Sequence, residues 1–168
     1  MNRGRKLGNI AMTVFTVIAI VVVEGILKYR LGIFFKPFDL ALIYCVYYGF
    51  NFSKPVSSVF LGAGLGLLQD SLSGAPLGTN GFSKALICFA AASTSLKFNV
   101  DQPITRIFAL FLFTLADGLL VSILELTMGT GGLTVSSGRL MDLVLAGVFN
   151  TLLGLMIFGF RDRYRHAT

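Results

Sequence analysis

The sequence predicts an all-α, polytopic integral membrane protein with six transmembrane helices. Three observations carry that reading. Hydrophobic residues make up 55% of the 168 positions and charged residues only 13%, with a mean hydropathy of +0.80. Soluble domains carry about 25% charged residues, so no soluble core accounts for this much apolar surface. The apolar residues fall in runs near the roughly 20 residues that one membrane crossing needs. Lys and Arg collect at the ends of those runs, so the net charge of +6 follows the positive-inside pattern of membrane proteins rather than a nucleic-acid footprint. Strand readings fail on two counts. Only a helix satisfies its own backbone in lipid, and the period-two alternation of a β-barrel is absent. The whole chain, 1–168, reads as one transmembrane domain.

Arg3, Arg5 and Lys6 precede the first span, Leu7–Leu27. This run is longer than a signal-peptide core and no A-x-A cleavage site follows it, so it reads as a retained span. Glu24 and Lys28 stand four apart in the favourable order and predict a local pair on one helix face. A loop with Lys28, Arg30, Lys36 and Pro37 leads to the second span, Phe38–Phe52. Asp39 reads as a first-turn acid complementing that helix N-terminus. Tyr44, Tyr47 and Tyr48 suit an interface or packing. Ser53-Lys54-Pro55 turns the chain into the third span, Val56–Leu72, and the fourth is Gly81–Leu96. A polar loop, Lys97–Pro103, precedes the longest span, Ile104–Met128. Gly129, Gly131 and Gly132 mark a flexible loop before the sixth span, Leu140–Phe160, and Arg161, Arg163 and Arg165 follow it.

Six spans put both termini on one side. Nine basic residues then share that side, namely Arg3, Arg5, Lys6, Lys54, Lys97, Arg106, Arg161, Arg163 and Arg165. Four stand opposite, namely Lys28, Arg30, Lys36 and Arg139. The bias predicts cytoplasmic termini in the bacterial inner membrane and an outward-facing turn between spans three and four.

That turn belongs to the stretch Leu61–Phe82, around which the chain is organised. Gly62 and Gly66 share one helix face, the small-xxx-small arrangement of closely packed membrane helices. Gly74 sits where a helix C′ glycine belongs, and Pro76 follows as a stop signal. Thr79 or Asn80 is expected to cap the next helix. Asp70 and Lys84 flank the turn at similar depth. They either pair, each offsetting the other's desolvation, or Lys84 snorkels alone to the surface.

Ionisable groups inside a membrane are functional hypotheses by default. Besides these two, the candidates are Glu24, Asp39, Asp117, Glu125 and Asp142. Asp117 stands mid-span without a charge near it in sequence. A structural hydrogen bond between helices, with Asn150 as the expected partner, is favoured over a proton-relay role. Asp142 has Arg139 three residues away to pair with. Catalysis finds little support: His166 is the only histidine and lies in the basic tail, so no Ser-His-Asp or Cys-His set forms within the spans. The glycines at 62, 64 and 66 do not make a dinucleotide fingerprint, because no strand precedes them. Cys45 and Cys88 lie inside apolar runs, where cysteines behave as small hydrophobes; no metal-ligand spacing exists and no cofactor is expected.

The run G-x-G-L-L-Q-D-S-L-S-G-A-P-L-G resembles the signature of the MreD family, small integral membrane proteins of the bacterial rod-shape (elongation) machinery. In that family a helix with Gly and then Asp runs into S-G-x-x-L-G. The matching positions here are Gly66, Asp70, Ser73, Gly74, Leu77 and Gly78. Lys36-Pro37 before a Tyr-containing span also resembles the family, although Phe38 separates Pro37 from Asp39. Asp117 and Asn150 occupy positions where members often carry such residues. The resemblance implies a non-enzymatic membrane subunit that binds the bitopic protein MreC. Through MreC it would join RodA, a class B penicillin-binding protein and MreB in supporting peptidoglycan synthesis and cell shape. It also implies a fold similar to the substrate-binding subunits of energy-coupling-factor transporters, which makes a vitamin-transporter subunit the alternative. Those subunits typically carry A-x-x-x-A in the first span; here Ala11 and Ala19 are eight apart. A small intramembrane enzyme is the third class. The candidate structural or partner-binding residues are Gly62, Gly66, Asp70, Ser73, Gly74, Leu77, Gly78, Lys84, Asp117 and Asn150, with membrane lipid as a further partner.

Overall fold

The computed structural model describes residues 3–31, 38–98, 100, 102–129 and 137–165, with the backbone alone at 3–11, 14, 31, 103, 137–140 and 158–165. The expectations for Lys36, Pro37, Gly131, Gly132 and His166, and the pairing of Arg139 with Asp142, lie outside the described residues. Among the described residues there are six helices and no strand: α1 (Arg3–Leu31), α2 (Leu40–Phe52), α3 (Pro55–Ser73), α4 (Thr79–Lys97), α5 (Pro103–Thr127) and α6 (Ser137–Arg165).

The helix ends follow local chemistry. Asp39 caps α2, its carboxylate accepting from the Leu42 N–H at 2.8 Å. Pro55 and Pro103 open α3 and α5, where a missing N–H costs nothing. Gly74 ends α3 at φ +69°, a left-handed conformation that glycine adopts without Cβ strain. The outer helices run beyond their apolar stretches, because charged residues such as Lys28 and Arg30 continue a helix well. By length and apolarity only Ile104–Thr127 passes as a spanning helix among the described residues; Leu40–Phe52 and Met141–Ile157 are apolar but shorter. The 13 residues of α2 measure about 20 Å at the α-helical rise.

This short helix is the centre of the bundle. It packs against each of the other five, which follow one another around it in the order α1, α3, α4, α5, α6. Neighbours in that sequence touch, but among the described residues α1 and α6 do not, so the ring is open on one side. The most extensive packing joins α3 to α4. One apolar cluster holds Leu42, Val46, Phe50, Ile87, Ala91, Leu110 and Phe113 from α2, α4 and α5. A second joins Val21, Ala41, Cys45, Leu65 and Cys88 from α1 to α4, with both cysteines as buried free thiols.

Candidate functional site

Two buried charges organise the interior, each in its own way. Asp70, 1% exposed, closes the α3–α4 turn. Its Oδ2 accepts from the backbone N–H of Gly78 at 2.9 Å and of Gly81 at 3.3 Å. Its Oδ1 accepts from the Asn80 N–H at 3.1 Å and from Asn80 Nδ2 at 2.8 Å. The first-turn amides of α4 are therefore capped by a carboxylate from the preceding helix. This corrects the expected cap: neither Thr79 nor Asn80 caps α4, whose N-cap is Gly78 at φ +101° with no side-chain cap of its own. The physical reason is charge, since an ionised carboxylate accepting several N–H groups at the positive end of a helix outcompetes a neutral hydroxyl or amide. Ser73 contributes a long bond to the Asp70 carbonyl, 3.4 Å, and Leu77 lies on the surface, 70% exposed.

Close approach makes this reach possible. A Cβ on Gly66 would collide with the Asn80 carbonyl, and one on Gly62 with the Lys84 carbonyl, so α3 lies directly on the α4 backbone at both positions. Gly64, between them, has nothing within 4 Å of the same position. The small-residue face is thus filled from within the chain.

Lys84 is fully buried and does not pair with Asp70, which corrects the pair expected across the turn. Its ammonium lies 2.8 Å from Asp39 Oδ2 and 3.5 Å from Asp117 Oδ2, and donates to Asn80 Oδ1 at 3.3 Å. The reason is that the four amide donors around Asp70 already use its oxygens. Asn80 joins the two charges, donating to Asp70 and accepting from Lys84. Ser83, the residue before Lys84 on α4, donates to Asp117 Oδ1 at 2.5 Å.

Asp117 and Asn150 are not drawn together as expected; instead Asn150 Oδ1 accepts from the Asp39 N–H at 2.9 Å. Asp117 is taken by Lys84 and Ser83, a stronger set of donors than one amide. Glu24 forms the expected pair with Lys28 at 2.5 Å. It also reaches further, accepting from the Ala41 N–H at 3.2 Å and from Gln69 Nε2 at 2.7 Å. Sequence reasoning missed these links of Glu24 and the Asp39–Lys84 pair, because each residue had a sufficient partner nearby in sequence. The overlooked signal was arithmetic: one intramembrane lysine stood among several intramembrane carboxylates. Asn150 Nδ2 and Gln69 Oε1 are buried without a hydrogen-bond partner among the described residues.

The result is a polar network that touches all six helices. Glu24 links α1 to α2 and α3; Asp39 and Asn150 link α2 to α6; Lys84 links α4 to α2 and α5; Asp70 links α3 to α4. Apart from Asn150 Nδ2 and Gln69 Oε1, its groups are spent on one another. What such an arrangement does chemically is fix helix positions, because breaking a buried ion pair on one side costs about 3–5 kcal/mol.

Comparison with curated proteins and with solved structures gives no match. A family model described as rod shape-determining protein MreD matches residues 5–163, nearly the whole chain. The match takes in the Asp70 turn, the Lys84 cluster and Asn150 alike, and on this evidence the chain belongs to the MreD family, membrane proteins of bacterial rod-shape determination.

Proposed function

We propose that this chain is a non-enzymatic scaffold subunit of the rod-shape (elongation) complex. In this reading residues 1–168 form one transmembrane domain that crosses the cytoplasmic membrane six times with both termini inside. It binds MreC directly and, through it, supports peptidoglycan synthesis by RodA and a class B penicillin-binding protein in register with MreB. The observation that carries the reading is the fate of the buried ionisable groups. Lys84, Asp39, Asp117 and Asp70 are bound to one another or to backbone amides, which suits a rigid scaffold. Its basic helix ends, Arg3, Arg5 and Lys6 on α1 and Arg161, Arg163 and Arg165 on α6, support the cytoplasmic orientation.

The six helices support repeated crossing, because in lipid only a helix or a closed barrel satisfies its own backbone groups. Since Gly62 and Gly66 are covered by α4, the partner helix is expected to use another face. Depletion in a rod-shaped bacterium should give rounded cells, and the protein should co-purify with MreC. Intact shape with lost vitamin uptake would replace this reading with that of a transporter subunit. A C-terminal reporter that behaves as periplasmic would remove the orientation.

A further inference from the structure

The opening in the ring has a floor, two walls and a charged mouth. Around a central rod, helices at ordinary packing distances have about six places. Here α1, α3, α4, α5 and α6 occupy five of them around α2, and among the described residues the place between α1 and α6 is open. The burial pattern on α2 agrees. Ala41, Leu42, Ile43, Cys45, Val46, Gly49 and Phe50 are buried, whereas Leu40, Tyr44, Tyr47 and Asn51 are not. Those four are spaced by four, three and four residues, which is one helix face. Tyr48 lies beside them, and the rings form a ladder: Tyr44–Tyr47 at 6.1 Å, Tyr44–Tyr48 at 6.4 Å and Tyr48–Phe52 at 4.5 Å.

One end of this groove is basic. Glu24, late in α1, binds the N-terminal end of α2, so α1 runs antiparallel to α2. Asn150, midway along α6, binds the same end. Gly118 lies against Leu143 and Gly154 against Leu110, so α6 is antiparallel to α5. Phe113 meets Phe50 while Asp117 shares Lys84 with Asp39, so α5 is antiparallel to α2 and α6 runs parallel to α2. The start of α1 and the end of α6 therefore lie at the end where α2 finishes. The first turn of α1 carries Arg3, Arg5 and Lys6, and the last two turns of α6 carry Arg161, Arg163 and Arg165 with a single acid, Asp162. The exposed Lys54 follows α2 at the same end. A bitopic helix would bring its own basic cytoplasmic flank to this mouth, like charge against like. A lipid phosphate brings the opposite charge, and acyl chains match the aromatic floor.

We propose that the opening between α1 and α6 is a binding site for an anionic phospholipid of the bilayer, with its acyl chains along the Tyr44–Phe52 face of α2 and its phosphate at the basic helix ends. The inference rests on the six-span reading above. The chain contains no tryptophan, so one introduced indole reports its own surroundings. Tyr48→Trp places it in the groove, and Phe108→Trp places it on the outer surface of α5, where the residue is 69% exposed. Each variant is reconstituted in phosphatidylcholine vesicles containing a minor fraction of brominated phosphatidylglycerol or brominated phosphatidylcholine.

The expected result is that brominated phosphatidylglycerol quenches Tyr48→Trp several-fold more than brominated phosphatidylcholine, while Phe108→Trp is quenched equally by both. Lys54→Gln or Arg161→Gln should each lower that preference about five-fold, the effect of one basic residue near an anionic surface. Equal quenching of both probes by both lipids overturns the site, as does a preference that survives both neutralising substitutions. Quenching of Phe108→Trp but not of Tyr48→Trp overturns it in favour of a protein helix in the opening. A Phe108→Trp emission that neither lipid quenches removes the membrane-spanning reading itself.

Discussion

Asp70 and Lys84 are both buried within one helical hairpin, yet the chain neutralises them by different means. Asp70 is served by donors 8 to 11 residues away, mostly backbone amides at the start of the next helix. Lys84 is served by carboxylates on α2 and α5, far from it in sequence on either side. The first solution is local and closes a turn. The second is long-range and ties three helices, so its loss should be felt across the bundle.

The largest effect should come from Lys84→Met, which leaves Asp39 and Asp117 buried without their cation and should cost about 3–5 kcal/mol. The readouts are the amount of protein in the membrane and its unfolding midpoint in detergent. Adding Asp39→Asn and Asp117→Asn to Lys84→Met should recover much of that loss; an unaltered Lys84→Met protein would dissolve the contrast. Asp70→Leu should come next, at about 3 kcal/mol, because amides of α4 lose their acceptor. Asp70→Asn keeps one acceptor oxygen and should cost less. Exchanging the two charges, Asp70→Lys with Lys84→Asp, should recover nothing relative to the worse single change, and recovery would restore the direct pair that the geometry excludes.

Smaller effects test the packing that lets Asp70 reach across. Gly66→Ala and Gly62→Ala push a methyl into the α4 backbone and should each cost about 1–3 kcal/mol by overpacking. Gly64→Ala is the control on the same helix: it meets open space and should be neutral or stabilising by up to about 1 kcal/mol, since alanine orders more readily in a helix. Equal losses at all three glycines would mean that the helix faces are assigned incorrectly. These values are read from the same thermal or denaturant unfolding series.

The same contrast explains what was legible in the sequence. All six helices are visible there because apolar runs and punctuation are local: Pro55, Gly74 and Pro103 stand at the helix ends they announce. The Glu24–Lys28 pair and the role of Asp39 at a helix start are legible for the same reason. The Lys84 cluster was not, because periodicity places residues on faces but does not say which helices turn those faces together. Asn150 was recognised as a polar anchor but matched to Asp117, when the available donor was the backbone N–H of Asp39. The cap of α4 was missed because the acceptor comes from the helix before the turn, a bond that requires the close α3–α4 approach to be known first.

The position of Lys84 along the chain has a consequence for biosynthesis. Asp39 precedes it and Asp117 follows, so a ribosome delivers the acid of α2 before the lysine of α4, and the acid of α5 last. When α4 enters the bilayer its ammonium already has a counter-charge waiting, and the four-helix intermediate already holds both partners of the Asp39–Lys84 pair. Only with α5 does a second carboxylate arrive, and it meets the Ser83 hydroxyl, already delivered with α4, at 2.5 Å. The expectation is that a chain ending after Lys97 inserts stably, whereas the same fragment with Asp39→Leu is cleared by membrane proteolysis; equal survival of the two fragments in a pulse-chase would show that insertion order does not protect this lysine.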